Sequence, residues 1–411
     1  MSAADASPIA LDEDFVQRRH TFHQRLREDG GGAVRRAVLP GGLPVWLVVG
    51  YDEAKEALAH PALSKDSRRA APLHDKQEEQ GVQVTRLARI LQSHMLNQDP
   101  PDHTRLRRLV TAEFTQRRVE LLRPWVEQVV DGLLDGFADR DRVDLLGDFA
   151  FPLTVTVIGE LFGVPEDERA EFRVISDGIA FGATPAEMGA ASARMADYLA
   201  DLVARKRAGT DEDLLAALVR ARDDEDRLDE DELVAMAFLM LTAGYESTAH
   251  LIGNGVLTLL THADQLDRLR RDPALLPDAV EEVLRFEGPG TTTTLRFAAE
   301  PVRLGDVDIA AGEFVLVLVG PVNRDAERFA DSDRFDVGRA DNRHLAFGHG
   351  VHRCLGAPLA RLEGQVALGR LVDRFPHLAL AVAPEELRWK DSVLFHGLTE
   401  LPVVPKSLED Q

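Results

Sequence analysis

Two short stretches of this chain hold side chains whose types and spacing could do chemistry. The first is Phe347-Gly348-His349-Gly350-Val351-His352-Arg353-Cys354-Leu355-Gly356, followed by Ala357-Pro358-Leu359-Ala360-Arg361-Leu362-Glu363. Its thiol is the single cysteine among 411 residues, so it can form neither an internal disulfide nor a cysteine-rich zinc or iron–sulfur site. Three glycines surround it, which permits a tight turn and close approach of backbone to a flat ligand. A helix starting near Ala357, with Pro358 in its first turn, sets a helix N-terminus beside the sulfur. Backbone N–H groups and that helix end favour the thiolate, the form that ligates metals. The second stretch is Ala243-Gly244-Tyr245-Glu246-Ser247-Thr248, inside a long helical pattern. A glycine there costs about 1 kcal/mol relative to alanine. A hydroxyl four residues after Ala243 can bond back to its carbonyl and open the helix.

The elements that must position these stretches follow from periodicity. Val38 to Val49 reads as two short strands around Gly41-Gly42, and Asp52 to Ala59 as a capped helix ended by His60-Pro61. Ser67 to Gln98 lacks strong periodicity and reads as a long loop with a little helix. From His103 to about Pro289 the pattern is helical. Asp229 and Glu230 cap the helix that carries Gly244, and it runs to about Leu260, a length of roughly 45 Å. Thr291 to Phe297, Val302 to Leu304 and Phe314 to Val319 read as strands, Ala357 to Phe375 as a helix, and short strands close the chain. No linker, repeat or low-complexity tract divides it. The expected architecture is mainly α with small β-sheets, one domain over 1–411, with about 1–15 and 405–411 as flexible termini.

Composition narrows the function classes. Forty-five per cent hydrophobic residues make a folded chain, and a formal charge of −22 argues against nucleic-acid binding. Met1-Ser2-Ala3-Ala4-Asp5 lacks a basic region followed by an apolar run, and Leu233 to Leu241 is too short to span a bilayer, so a cytoplasmic monomer is expected. Asp223 to Asp226 and Asp229 to Glu232 form an acidic turn and helix start. By contrast, His103 to Arg123 carries six arginines, at 105, 107, 108, 117, 118 and 123, against Glu113 and Glu120. That surplus of four positive charges is a candidate docking patch for an acidic partner. Three readings of Cys354 stay open: an inert buried residue, a zinc ligand with His344, His349 and His352, or the thiolate ligand of a flat metal cofactor.

The third reading is a resemblance. Phe-Gly-x-Gly-x-His-x-Cys-x-Gly with Ala-Pro-Leu-Ala-Arg-Leu-Glu behind it is similar to the heme-ligand loop of the bacterial cytochrome P450 family. The resemblance implies the P450 fold, with heme b held between a long distal helix and the cysteine loop and its proximal helix. It implies Cys354 as the axial iron ligand, Phe347 beside the sulfur, and His352, His103, Arg107 and Arg296 on the heme propionates. Residues 243–248 resemble the family's oxygen-binding helix. Gly244 then leaves room for dioxygen, Glu246 lies on the proton path, and Ser247 stands where the family usually has threonine, with Thr248 as backup. Glu282-x-x-Arg285 resembles a buried pair that locks the region behind the heme with a later arginine. Asn323-Arg324-Asp325 and Arg328-Phe329 resemble that downstream segment, with Ala326 in place of the usual proline.

Met95 to Arg107 and Glu287-Gly288-Pro289 resemble actinobacterial enzymes that tailor macrolides and other polyketides. By position, Leu96, Phe181, Leu239, Thr242, Ala243, Thr291, Leu394 and Phe395 would line the substrate pocket. The implied function is a monooxygenase that places one atom of O2 into a lipophilic metabolite by hydroxylation or epoxidation. The heme fold leaves no stretch for a flavin or nicotinamide domain, so electrons come from an external acidic ferredoxin, docking on Arg105, Arg108 and Arg117 near the cysteine face. An oxidase performing coupling or ring formation and a non-catalytic heme sensor are the alternatives.

Overall fold

The computed structural model describes residues 8–40, 42–66, 90, 93–181, 185–223 and 228–405, with the side chains of 180, 181 and 185 left aside. The chain begins with β1 (Ile9–Ala10), α1 (Glu13–Gln17), α2 (Arg19–Glu28), β2 (Val34–Val38), β3 (Pro44–Val48), α3 (Tyr51–Ala59) and β4 (Leu63–Ser64). Helices follow: α4 (Asp102–Thr111), α5 (Gln116–Glu120), α6 (Arg123–Asp135), then β5 (Val143–Asp144), α7 (Phe151–Phe162), α8 (Arg169–Phe181), α9 (Pro185–Ala208), α10 (Leu214–Asp223), α11 (Glu230–Thr261), α12 (Ala263–Arg271) and α13 (Leu276–Glu287). The remainder is β6 (Arg296–Ala298), β7 (Val302–Leu304), β8 (Val307–Ile309), β9 (Phe314–Val317), α14 (Val319–Val322), α15 (Ala357–Arg374), β10 (Ala379–Leu380) and β11 (Pro402–Val404). Two compact units divide it: residues 1–63, 120–153 and 247–411, and residues 64–119 and 154–246.

In the first unit β2 pairs antiparallel with β3, β3 parallel with β9, and β9 antiparallel with β6. Side chains alternate across a strand, so Trp46, Val48, Val315 and Val317 pack with Tyr51, Ala54, Ala57 and Leu58 of α3. Val45, Leu47 and Leu316 face the other way, onto Phe15, Phe22 and Leu26. This second layer corrects the expected flexible N-terminus. From Ile9 the chain is anchored, because Ile9–Ala10 pairs with Ala37–Val38 and Leu11 and Phe15 are buried. α15 lies on α6, with Phe375 stacked on Phe137 at 5.6 Å and Arg370 bonded to Glu127 at 3.1 Å.

Three sequence expectations shift. α3 begins at Tyr51 after Gly50, with no side-chain cap, so Asp52 lies inside it. Thr291 to Thr294 is not strand; β6 starts at Arg296, and the preceding turn carries only isolated bridges. Most of the expected 67–98 loop lies outside the described residues; Met95–Asn97 forms one short turn.

In the second unit, α8 packs along α9 so closely that a Cβ on Gly178 would come within 2.9 Å of Ala191 Cβ. The start of α11 has a reciprocal cap: the Glu232 N–H donates to Asp229 Oδ1 at 2.7 Å, and the Asp229 N–H to Glu232 Oε2 at 3.0 Å. Residues 224–227 of the acidic turn lie outside the described residues, while Asp223 and Glu230 share Arg207.

Candidate functional site

Glycine backbone geometry shapes the cysteine loop. Gly348 and Gly350 take φ of +68° and +74°, the left-handed region open to glycine. A Cβ on Gly350 would lie 2.7 Å from the Leu58 carbonyl oxygen, so only glycine lets the loop seat against the end of α3. The Cys354 N–H donates to the Phe347 carbonyl at 2.9 Å and closes the turn. Cys354 is exposed, which removes the inert buried reading. A Cβ on Gly356 would sit 4.0 Å from its Sγ, so glycine keeps that flank of the sulfur thin. The zinc reading fails as well: among the described residues no group of three or more His, Cys, Asp or Glu side chains could hold a metal ion.

α13 braces this loop from below. Glu281 accepts a two-pronged bond from Arg361 at 2.6 and 2.7 Å and lies 3.2 Å from His344 Nε2. The Arg361 guanidinium in turn lies 4.6 Å over the Phe347 ring. Burial works against charge on Glu281, but Arg361 and His344 outweigh it and hold the carboxyl at about 2. One residue on, Glu282 and Arg285 are wholly buried and joined at 2.7 and 2.8 Å. Arg339 adds bonds to both Glu282 oxygens at 3.1 Å, and Asn342 donates at 3.1 Å. Arg285 spends its other hydrogens on the carbonyls of Asn323, Ser332 and Arg334. The later arginine is thus Arg339, while the 323–329 segment meets the pair through the Asn323 carbonyl. Arg324 bonds the Phe286 carbonyl, and Arg328 bonds Asp341. Motif spacing held no signal for Arg339, because the turns of 330–342 bring it back.

The remaining predicted contacts occupy distinct settings. Arg296 is 5% exposed and donates to the Leu63 carbonyl at 3.2 Å; it is no surface charge. His352 ends a short turn over Gly350–His352 and is half-buried. In α4, His103 is buried and Arg107 lies one turn on, half-buried. Burial, then the cations Arg107 and Lys65, push His103 down to about 4. Arg105 departs from the expected patch: it bonds Glu232 in the first turn of α11, at 3.0 Å through Nη1. That contact neutralises it. Arg118 pairs with Glu113 and Arg123 with Glu120. Arg108 and Arg117 are exposed and form no ion pair among the described residues.

α11 is helical through residues 243–248. Ala243 is exposed and Thr242, Gly244 and Ser247 are half-buried, whereas Tyr245, Glu246 and Thr248 are buried. Positions 243, 244 and 247 share a helix face, and every side chain on this accessible strip is small. Gly244 has a packing reason too: a Cβ there would meet Ile158 Cδ1 at 2.6 Å. Tyr245 is fixed by donating to Asp177 at 2.9 Å. Of the predicted pocket residues, Leu239, Thr242 and Ala243 lie on one face of α11. Leu96 is in the turn before α4, and the side chain of Phe181 lies outside the described residues. Thr291, Leu394 and Phe395 come together, the Thr291 N–H donating to the Leu394 carbonyl at 2.9 Å.

The exposed Cys354 thiol on a glycine loop and the Arg296 guanidinium taken out of water are donors of the kind an iron porphyrin dicarboxylate takes. A model of the cytochrome P450 family matches residues 141–396. The chain is 50% identical over 397 residues to cytochrome P450 107B1 of Saccharopolyspora erythraea, covering 97% of each. It is 46% identical over 374 residues to the 6-deoxyerythronolide B hydroxylase of the same organism, covering 88% of this chain and 90% of that one. The solved structure of the tirandamycin C-bound P450 monooxygenase TamI superposes with a TM-score of 0.91 at 48% identity, covering 97% of this chain and 100% of that chain. The chain belongs to the cytochrome P450 family: it is a P450 monooxygenase, and its cofactor is heme b. No helix among the described residues is long and apolar enough to cross a membrane.

Proposed function

We propose that this enzyme hydroxylates or epoxidises a lipophilic secondary metabolite of the macrolide or polyketide class, drawing electrons from an external ferredoxin in the cytoplasm, with residues 1–411 forming one heme domain. The observation that carries the oxygenase chemistry is the exposed Cys354 thiol on its braced glycine loop. The substrate class is supported by the relative named for 6-deoxyerythronolide B and the TamI structure with tirandamycin C. Bound heme supplies the activation of dioxygen after two single-electron reductions.

Cys354 would hold the iron as thiolate, with Phe347 beside the sulfur. His103, Arg107, Arg296 and His352 would meet the heme carboxylates. Glu246 and Ser247 would move protons toward the reacting oxygen, with Gly244 leaving room. Ser247 is favoured over Thr248 because it lies on the accessible strip of α11, whereas Thr248 is 3% exposed. Leu96, Phe181, Leu239, Thr242, Ala243, Thr291, Leu394 and Phe395 would surround the substrate. Arg108 and Arg117 would receive the ferredoxin, since Arg105 is already spent on Glu232.

The reduced protein is expected to show a thiolate-type carbonmonoxy band that Cys354→His abolishes; its persistence in the variant would refute the ligand assignment. A polyketide panel screened for the low-to-high spin change, followed by product analysis with a surrogate ferredoxin, tests the substrate class. Ser247→Ala should lower product per electron consumed more than Thr248→Ala does. Charge reversal at Arg108 and Arg117 should weaken ferredoxin-driven turnover and flatten its salt dependence.

A further inference from the structure

Where α13 ends, the chain turns through Glu287-Gly288-Pro289-Gly290-Thr291 and is bonded to Val393-Leu394-Phe395-His396. The His396 N–H donates to the Pro289 carbonyl at 2.7 Å, Gly290 bridges Phe395, and the Thr292 hydroxyl donates to the Val393 carbonyl at 2.8 Å. These facing segments carry three of the proposed substrate contacts, Thr291, Leu394 and Phe395.

A buried ionic cluster lies at their base. The Glu287 side chain is 6% exposed; its Oε1 lies 2.5 Å from His396 Nε2, and its Oε2 lies 2.8 Å from His20 Nε2 and 3.6 Å from Arg324 Nη2. Asn254 on α11 donates to the carbonyls of both Glu287 and His396, at 3.0 and 2.9 Å. Arg19 donates to the Gly288 carbonyl at 3.2 Å. His396 is stacked on Trp389 at 3.8 Å, and Trp389 is tied through backbone N–H and carbonyl to Gln17. α2, which brings Arg19, His20 and His23, is seated on Gly320, where a Cβ would meet His23 Cε1 at 2.3 Å and Arg19 Nη2 at 2.7 Å. Contacts thus link both ends of the cluster.

We propose that Glu287 is a positioning residue for substrate: its carboxylate, gripping His396 and His20, fixes the Leu394–Phe395 turn against the Thr291 turn and so sets how the substrate is oriented for oxidation. The proposal rests on the assignment of these turns to the substrate pocket. Charge states agree with it. Burial opposes charge on Glu287, but His20 and His396 outweigh it and hold the carboxyl well below the usual range. Burial, then the Arg19 cation, push His396 down to about 3, leaving a neutral imidazole that donates Nε2–H to a charged acceptor.

The test compares Glu287→Gln and His20→Gln with wild type, each as heme-loaded protein. His20 has 51% of its side chain exposed, so its variant folds whatever happens to Glu287→Gln. Substrate affinity, read from the spin change with a polyketide ligand, should fall about tenfold in Glu287→Gln, the weight of one charge-assisted hydrogen bond. The fall should be smaller in His20→Gln, and the ratio of oxidised positions should shift in both. Amide hydrogen exchange in 289–292 and 393–398 should quicken, with the carbonmonoxy band unchanged. Unaltered exchange in those segments would overturn the clamp whatever the substrate. Faster exchange with unchanged affinity and product ratio would overturn the positioning role. A wild-type protein lacking the thiolate-type band would overturn the oxygenase reading and, with it, this proposal.

Discussion

Glu282 and Glu287 lie on the same helix, α13, both out of water, and they are held in opposite ways. Glu282 is enclosed by two guanidinium groups and the Asn342 amide, with every Arg285 hydrogen directed at an acceptor. Glu287 is met chiefly by two imidazoles, with Arg324 further off at 3.6 Å. Guanidinium keeps its charge at any pH a protein survives, whereas imidazole can change charge and exchange donor for acceptor. One end of the helix is a base of permanent charges beneath the cysteine loop; the other is an imidazole-held clamp under the proposed substrate turns.

The contrast can be broken at several points. The largest effect is expected for Glu282→Ala, which strands the buried Arg285 guanidinium and takes a partner from half-buried Arg339, and should cost about 3–5 kcal/mol of stability; denaturant unfolding measures it. A loss under about 1 kcal/mol, the size of a surface pair, would end the claim of that base. Arg339→Lys keeps the charge but loses the planar fork, and a loss of about 1–2 kcal/mol is expected in the same titration.

Glu281→Gln sharpens the picture through pH. The folded carboxyl sits at about 2, below its ordinary value of 4.5. Its contribution is therefore fully present above about pH 4.5 and is lost as pH falls from there toward 2. Melting temperature against pH should fall less steeply in that window for Glu281→Gln than for wild type, and parallel curves would refute the brace. The smallest effect is expected for His20→Gln, under about 1 kcal/mol, because the His20 side chain is half in solvent. A larger loss would make His20 a structural residue and erase the difference between the two ends.

Much of the candidate site was legible in sequence because its parts are local. Cys354, its glycines and Pro358 lie within one turn and a helix start, and the strip at Ala243, Gly244 and Ser247 follows from helical period alone. Glu282 and Arg285 are one helical turn apart, so their pairing needed no tertiary knowledge. Arg339 could not be found this way, since the turns of 330–342 decide which arginine returns to Glu282. The same limit applied to Arg105, whose partner Glu232 belongs to a distant helix start, and whose docking charge is lost to it.

By itself, then, the sequence determined where the thiol and its glycines stand, the helix face and the charge inventory, because residue identity and periodicity are properties of a segment. Only the tertiary structure decided which charges are cancelled, why Gly350 admits no side chain, and that Glu287 ties α2, α13 and the 393–396 turn together. Those outcomes depend on burial and on contacts between segments far apart in the chain, and the cost of an unpartnered charge out of water selects one arrangement among the many that local pattern allows.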